Sequence, residues 1–256
     1  MRRGAALAAA VVALAAAAPA AAYVLAVPGI LRRMGERRAA LSLEALEVTG
    51  SLVAKGEAAE ALARTPGVAI AAGQVNAPAL FRMKVPGRCR LDLGPADAPE
   101  GSRVYVSIRD GKISGAGGLD RLPSAVAVVR AVCALLATHV AGDASGAYAA
   151  ALSRRGVALG DSTLGRFDGR IAYVVGGRAT DPKPLLFVEK DSFHPLRLVA
   201  QEGGARHDVR LLGWGSPTGG DWFPRAVDDW SADALRLRFT TERTVQNPKL
   251  ADALFQ

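Results

Sequence analysis

The chain has 256 residues, 50% of them hydrophobic, and a formal net charge of +8 at pH 7, which is enough length for one large domain with a sizeable core. Its arginines are spread along the chain and alternate with apolar residues, whereas a nucleic-acid-binding surface clusters basic residues among stacking aromatics. Nucleic acid is therefore excluded as a partner, while an anionic membrane surface or an acidic protein is compatible with the charge.

Residues 1–22 have the composition of an export signal. Arg2 and Arg3 precede an apolar stretch over 5–18, and small residues follow up to the predicted cleavage site, which is the order that signal peptidase substrates share. The sequence therefore predicts export to the periplasm. Because apolar residues continue to about residue 31, an uncleaved inner-membrane anchor is the alternative.

The rest of the chain, from about residue 30 to 256, is predicted to form a single domain that begins with β-strands. Side chains over 81–85 alternate between apolar and cationic, which is the period of a sheet with one dry face. The Asp110-Gly111 pair predicts a hairpin, because its turn needs a positive φ that glycine adopts easily. The predicted N-terminal strands are 43–53, 79–85, 88–93, 104–109 and 112–114.

The middle of the chain, about 122–154, is predicted as a helical insert. Residues 124–140 and 144–154 are rich in Ala, Val and Leu, with Gly142 and Asp143 between them, so two helices are expected. In a β protein such helices can cover one face of a curved sheet or can simply pack into the core, and both interpretations stay open.

The C-terminal third returns to strands at regular spacing. Residues 235–240 show the clearest alternation of apolar and polar side chains in the chain. Hairpin-length links between consecutive strands indicate an antiparallel meander or partial barrel, since parallel strands would need helical crossovers. The predicted strands are 169–176, 185–190, 195–200, 207–214, 222–227 and 235–244.

Cys89 and Cys133 would both remain in an exported chain. An oxidising periplasm permits them to form a disulfide, and two buried thiols are the alternative. A reactive thiol is not supported, because neither cysteine has a nearby histidine or a catalytic motif.

The C-terminal third also contains an ordered series of short motifs. Arg-Ile-Ala-Tyr-Val-Val at 170–175 is followed by Leu-Phe-Val-Glu-Lys-Asp-Ser-Phe-His-Pro-Leu-Arg at 186–197, Trp-Phe-Pro at 222–224, Thr-Val-Gln-Asn-Pro-Lys-Leu at 244–250 and Leu-Phe at 254–255. With these motifs, and with Leu-Phe-Arg-Met-Lys-Val-Pro-Gly-Arg at 80–88, the chain resembles the LolA-like family of periplasmic outer-membrane lipoprotein carriers and lipoprotein-sorting proteins.

The resemblance implies a mainly β fold: an unclosed antiparallel β barrel, or strongly curved sheet, with helices covering a concave face that receives acyl chains. Two features depart from the family pattern, namely the cysteine pair and the long Ala-rich helical segment. In addition, the lid arginine of the family cannot be assigned to any residue of this chain.

The function expected from this resemblance is a periplasmic carrier or binding protein that shelters the acyl chains of a lipid or lipoprotein during outer-membrane lipoprotein sorting. The alternative is a monomeric envelope module of the same fold that binds a protein partner or a membrane surface and transports no ligand. Strand alternation predicts a hydrophobic lining of Phe81, Met83, Val104, Val106, Leu196, Leu198, Leu235, Leu237 and Phe239.

Catalysis, metal and cofactors are not expected. Gly160-Asp161-Ser162 and Asp191 to His194 resemble the nucleophile and base blocks of SGNH-class esterases, but they lie too close together in a strand-rich region, with Ser162 in a predicted loop. His139, His194 and His207 are scattered without ligand spacing. Trp214, Trp222 and Trp230 could stack on a ligand, although packing in the core or at its rim is the commoner role of such residues.

Overall fold

The computed structural model describes residues 24–63, 68, 70–94, 99, 103–138 and 142–256. The predicted signal peptide lies outside these residues, as does His139, for which packing within the helical insert is expected. Within the described ranges, no helix is both long enough and apolar enough to cross a bilayer.

The described residues form a β-rich domain with four α-helices. The helices are α1 (Val27–Ala40), α2 (Glu57–Ala63), α3 (Pro123–Leu136) and α4 (Ala144–Ser153), with 3₁₀ turns at Leu119–Arg121 and Asp252–Phe255. The strands are β1 (Ala45–Lys55), β2 (Ile70–Ala71), β3 (Gln74–Lys84), β4 (Arg88–Leu93), β5 (Val104–Arg109), β6 (Lys112–Ala116), β7 (Ser162–Phe167), β8 (Arg170–Val175), β9 (Leu185–Glu189), β10 (Pro195–Glu202), β11 (Ala205–Leu212), β12 (Ala226–Ser231) and β13 (Ala234–Gln246).

All described strands belong to one antiparallel sheet, in the order β6-β5-β4-β3-β1-β13-β12-β11-β10-β9-β8-β7, with β2 paired to β3 alone. The N-terminal and C-terminal strands meet in the middle, where β1 pairs with both β3 and β13. β6 and β7 are the two ends of this order, and no pairing joins them among the described residues, so the barrel is unclosed. The predicted fold class is confirmed.

Contacts of α3 show that the sheet is strongly curved. This helix packs on β4 and β5 and also on β10, β11 and β12. β5 and β10 are seven strand spacings apart in the sheet order, which is about 34 Å in a flat sheet, whereas a helix of 14 residues is only about 21 Å long. The sheet therefore curves around α3, and its concave face is covered by helix as the resemblance implies.

A close approach of two strands explains one glycine at the centre of the sheet. Gly50 lies at a bulge between β1 and β13. A Cβ at this position would lie 2.0 Å from the carbonyl oxygen of Thr240 and 2.9 Å from the ring of Phe239. Any larger residue would separate the two strands that join the halves of the sheet.

The sequence pattern does not predict α1, because its first residues were assigned to the end of an apolar export segment. Pro28 lies in the first turn of the helix, where its missing N–H breaks no helical hydrogen bond. Val27, Ile30 and Leu31 are buried in the core. A membrane anchor reaching residue 31 would have to withdraw these side chains from the folded domain.

Ion pairs cover the outer face of the C-terminal strands. Asp208, 5% exposed, accepts hydrogen bonds from Arg197 at 2.7 and 2.9 Å and from Arg210 at 2.8 and 3.0 Å. Asp228, 1% exposed, accepts two from Arg238 at 2.5 and 2.6 Å. The arginines that alternate with apolar residues in the sequence therefore neutralise buried aspartates.

Some predicted boundaries were wrong. The strand expected at 222–227 begins only at Ala226, since Trp222-Phe223-Pro224 forms a turn whose Phe223 is buried. Ser162, expected in a loop, is the first residue of β7. The helical insert is present, with α3 and α4 close to the predicted limits.

Candidate ligand-binding pocket

Most of the predicted lining residues lie in the filled core of the domain. Phe81 and Phe239 contact the ring of Phe223 at centroid distances of 5.5 and 6.0 Å. A ligand on this part of the concave face would therefore have to displace the Phe223 side chain. Of the predicted lining, Phe81, Met83, Val106, Leu196, Leu198, Leu237 and Phe239 are buried, whereas Val104 and Leu235 are half-buried.

An open pocket of about 450 Å³ lies beside this core, between α3, the end of α4 and two hairpin turns. Its volume is within the range of small-molecule sites. The β3–β4 turn, the β5–β6 turn and the two helices bring together residues that are far apart in the chain. The lining residues are Pro86, Gly87, Ile108, Asp110, Gly111, Arg130, Cys133, Ala134, Thr138, Ala151, Arg154 and Arg155.

Three arginines line the pocket, and two of them share one carboxylate. Arg130 donates to both oxygens of Glu202 at 2.9 and 3.1 Å. Both terminal nitrogens of Arg155 lie 3.3 Å from Oε2 of the same carboxylate. Arg154 is exposed and has no ion pair within the described part of the chain. The pocket wall therefore has more positive than negative charge.

Arg155 is the most enclosed of these arginines. Its Nε is buried and has no hydrogen-bond partner among the described residues. Burial lowers the pKa of its guanidinium, Glu202 acts in the opposite direction, and the charge of Arg130 lowers the pKa further. An additional anion in the pocket would offset the repulsion between the two guanidinium groups.

Cys89 and Cys133 form a disulfide that fixes one wall of the pocket. Their Cα atoms are 5.7 Å apart, within the separation that a disulfide can bridge. Cys89 lies on β4 and Cys133 on α3, so the bond joins the helix covalently to the sheet. Because Cys133 also lines the pocket, this wall is held in place before any ligand binds.

The arginines of α1 have different surroundings. Arg38 is buried and donates to the carbonyl oxygens of Leu136 and Trp222, each at 2.9 Å. Burial lowers the pKa of its guanidinium. These hydrogen bonds connect α1 to the end of α3 and to the turn before β12.

Arg37 connects α1 to two loops of the C-terminal strands. It donates to Nε2 of His194 and to Asp221, both at 2.8 Å, while the His194 ring stacks on Trp214 at 4.4 Å. The pKa of His194 is lowered to about 4, mainly because the ring is buried and next because of the positive charge of Arg37. His194 is therefore a neutral packing residue near neutral pH.

The esterase constellation is not assembled. The hydroxyl of Ser162 donates to the carbonyl of Leu25 at 2.7 Å, and Ser192 donates to Glu189. His194 is occupied by Arg37, as described above. No nucleophile–base pair is therefore formed between residues 160–162 and residues 191–194.

The sequence pattern gave no sign of a buried pair between His207 and Asp229. Nδ1 of His207 lies 2.9 Å from Asp229, which has no exposed surface. Nε2 of His207 is buried without a partner among the described residues. Groups of three or more side chains suited to hold a metal ion are absent from those residues.

The tryptophans contact separate partners. Trp214 is buried and borders a second pocket of about 510 Å³, which is lined by 213–218 and Arg225. Trp230 lies under Arg210, whose guanidinium is 4.3 Å from the ring centroid. Packing accounts for both contacts, although Nε1 of Trp230 is buried without a hydrogen-bond partner among the described residues.

No protein-family model and no curated protein matches the chain. Among solved structures it is similar to a LolA superfamily protein from Nitrosomonas europaea, with 13% identity, a TM-score of 0.46, and coverage of 91% of this chain and 98% of that chain. It is also similar to a DUF1329 family protein from Desulfovibrio piger, with 9% identity, a TM-score of 0.43, and coverage of 88% and 95%.

MucB in complex with MucA(peri) is a further similar structure, with 16% identity and a TM-score of 0.28. The match covers 90% of this chain and 60% of the MucB chain.

Proposed function

We propose that this chain is an exported, non-catalytic binding protein of the periplasm that shelters the acyl chain of a lipid or lipoprotein. The observation that carries the proposal is the pocket between α3, α4 and the two hairpin turns, which is open and has apolar walls. Ile108, Ala134 and Ala151 supply apolar surface there, beside the disulfide. The export signal in the sequence and the disulfide both fit an oxidising compartment.

The size of the pocket is sufficient for part of an acyl chain. Each buried methylene contributes about 0.8 kcal/mol, so six of them would contribute about 5 kcal/mol before the cost of association. Because the disulfide holds one wall, little of this gain is lost in ordering the site. Binding of moderate strength, suitable for a carrier that must release its ligand, is the expected result.

The second candidate function is an envelope module that binds a protein partner and transports no ligand. One observation favours it: Phe223 and α3 fill the concave face on which an acyl chain was expected. In this case the fold would present a surface while its own side chains occupy its interior. The content of the purified protein distinguishes the two functions.

The first test is native mass spectrometry and organic extraction of the protein, purified from the cell envelope without detergent. A co-purifying lipid or acylated peptide is expected under the proposed function. A clean apo mass, together with failure to take up a fluorescent fatty-acyl probe, would favour the partner-binding module.

Two matched variants test whether the fluorescent fatty-acyl probe binds in this pocket. Ala134, on the pocket side of α3, is half-buried, whereas Ala150 of α4 is exposed and does not line the pocket. Ala134→Phe should fill the pocket and reduce probe uptake at least tenfold, while Ala150→Phe should leave uptake unchanged. Equal uptake by the two variants, both folded, would exclude this pocket as the acyl site.

A further inference from the structure

We propose that Arg130, Arg154 and Arg155 bind an anionic group, a phosphate or a carboxylate, at the polar end of the ligand. This inference rests on the proposed function for the apolar part of the same ligand. It narrows the ligand class to anionic amphiphiles, with the charged group at the arginines and the chain along the apolar wall.

The charge balance of the pocket supports an anion. Arg130 and Arg155 have one carboxylate between them, that of Glu202, and Arg154 has no ion pair within the described residues. The acidic residue that lines the pocket is Asp110, whose side chain is 79% exposed and lies 3.7 Å from Arg109 outside the lining. A bound anion would meet a surplus of cations in a partly desolvated site, where attraction is stronger than in water.

Hydrogen-bond geometry points the same way. Glu202 accepts from both neighbouring arginines, yet the Nε of Arg155 is left without an acceptor among the described residues. Guanidinium groups present several N–H donors in a planar fork, which matches the oxygens of phosphate and carboxylate. The exposed fork of Arg154 can therefore be satisfied by an incoming anion, whereas the Nε of Arg155 is buried.

The position of the arginines orients the ligand. Arg130 and Ala134 lie one helical turn apart on α3, and Ala151 of α4 lies about one turn before Arg154, the residue that follows the end of this helix. α3 thus offers Arg130 beside Ala134, and the end of α4 offers Arg154 beside Ala151, to the same pocket. An amphiphile can contact the arginines with its head and the alanines with its chain.

The experiment is a calorimetric titration of the full mature chain with three probes: dodecyl phosphate, dodecanol and inorganic phosphate. Dodecyl phosphate is expected to bind at least tenfold more tightly than either of the others. Arg130→Gln and Arg154→Gln should each weaken dodecyl phosphate about tenfold and leave dodecanol unchanged. Arg121→Gln is the control, because Arg121 is exposed and lies outside the pocket lining.

The outcomes separate this inference from the proposed function. If dodecanol binds as tightly as dodecyl phosphate, or if the two pocket variants bind both probes like the unmodified chain, the anion site is wrong while acyl binding stands. Binding of inorganic phosphate as tight as that of dodecyl phosphate would establish a small-anion site and overturn the amphiphile. If none of the three probes binds, the inference and the proposed function both fail.

Discussion

Two groups of arginines border the helical layer, and they differ in how many acceptors surround them. In α1, Arg38 donates to two carbonyl oxygens and Arg37 donates to His194 and Asp221. In the pocket, Arg130 and Arg155 share one carboxylate. The same residue type therefore serves as a structural cross-link in the first group and as surplus charge in the second.

This difference separates arginines that stabilise the fold from arginines that are available to a ligand. Sequence alone does not distinguish them, since both groups lie in or beside helices with apolar neighbours. Burial alone does not distinguish them either, because Arg155 is also largely enclosed. What separates them is the ratio of acceptors to guanidinium donors.

The largest effect is expected from loss of the disulfide, which joins α3 to the sheet. This helix is connected to both groups of arginines, because it contains Arg130 and because the carbonyl of its Leu136 accepts a hydrogen bond from Arg38. The disulfide closes a loop with a sequence separation of 44, and removing it should lower the free energy of unfolding by about 4 kcal/mol in the loop-closure model. Urea unfolding of the chain with and without reductant measures this. A loss below about 1 kcal/mol would mean that packing alone holds α3.

The next effect distinguishes the two groups directly. Arg38→Met should lower the free energy of unfolding by about 3 kcal/mol, because the carbonyls of Leu136 and Trp222 would lose a charged donor in a buried site. Arg154→Met should change it by less than about 0.5 kcal/mol, as is usual for exposed positions. Urea titrations of both variants measure the contrast. Similar losses in the two variants would contradict it.

Much of the sheet could be predicted from the sequence, because alternation and turn chemistry are local. Strands β4 and β5 coincide with their predicted limits, and Asp110-Gly111 forms the expected hairpin with positive φ at both residues. Leu237 and Phe239 were correctly assigned to a buried face. Alternation identifies that face, but it does not say whether a ligand or the protein itself fills it.

The pocket could not be predicted, because alternation and turn chemistry are local and do not show which distant segments meet. Gly87, Asp110, Arg130 and Arg154 come from four separate segments, and only the curvature of the sheet and the path of α3 bring them together. The role of Phe223 was also missed, since its neighbours Phe81 and Phe239 are more than a hundred and about sixteen residues away in the chain. A Leu237→Glu variant, which the alternation pattern suggests as a binding test, would now report on folding because Leu237 is fully buried.

A third effect concerns pH and the α1 group. The pKa of His194 is lowered from 6.5 to about 4 in the folded chain, so the unfolded chain binds a proton between these values and the folded chain does not. Stability is therefore complete above about pH 6.5 and decreases as the pH falls towards 4, by at most about 1.4 kcal/mol per pH unit.

His194→Phe keeps a ring against Trp214 and removes the titration. The pH slope of the free energy of unfolding between 6.5 and 4 should decrease in this variant relative to the unmodified chain. Urea unfolding at several pH values measures the two slopes. An unchanged slope would show that His194 binds its proton equally well in both states.

The smallest effect is expected at Glu202, where stability and binding should change in opposite directions. Glu202→Gln keeps an oxygen that accepts hydrogen bonds from Arg130 and Arg155 but removes the negative charge between them. The free energy of unfolding should fall by about 1 kcal/mol, because two neighbouring cations lose their shared counter-ion. The affinity for dodecyl phosphate should rise about threefold, since the ligand no longer competes with a carboxylate. If affinity falls together with stability, Glu202 acts mainly by positioning the arginines, and their charge is not in surplus in the free protein.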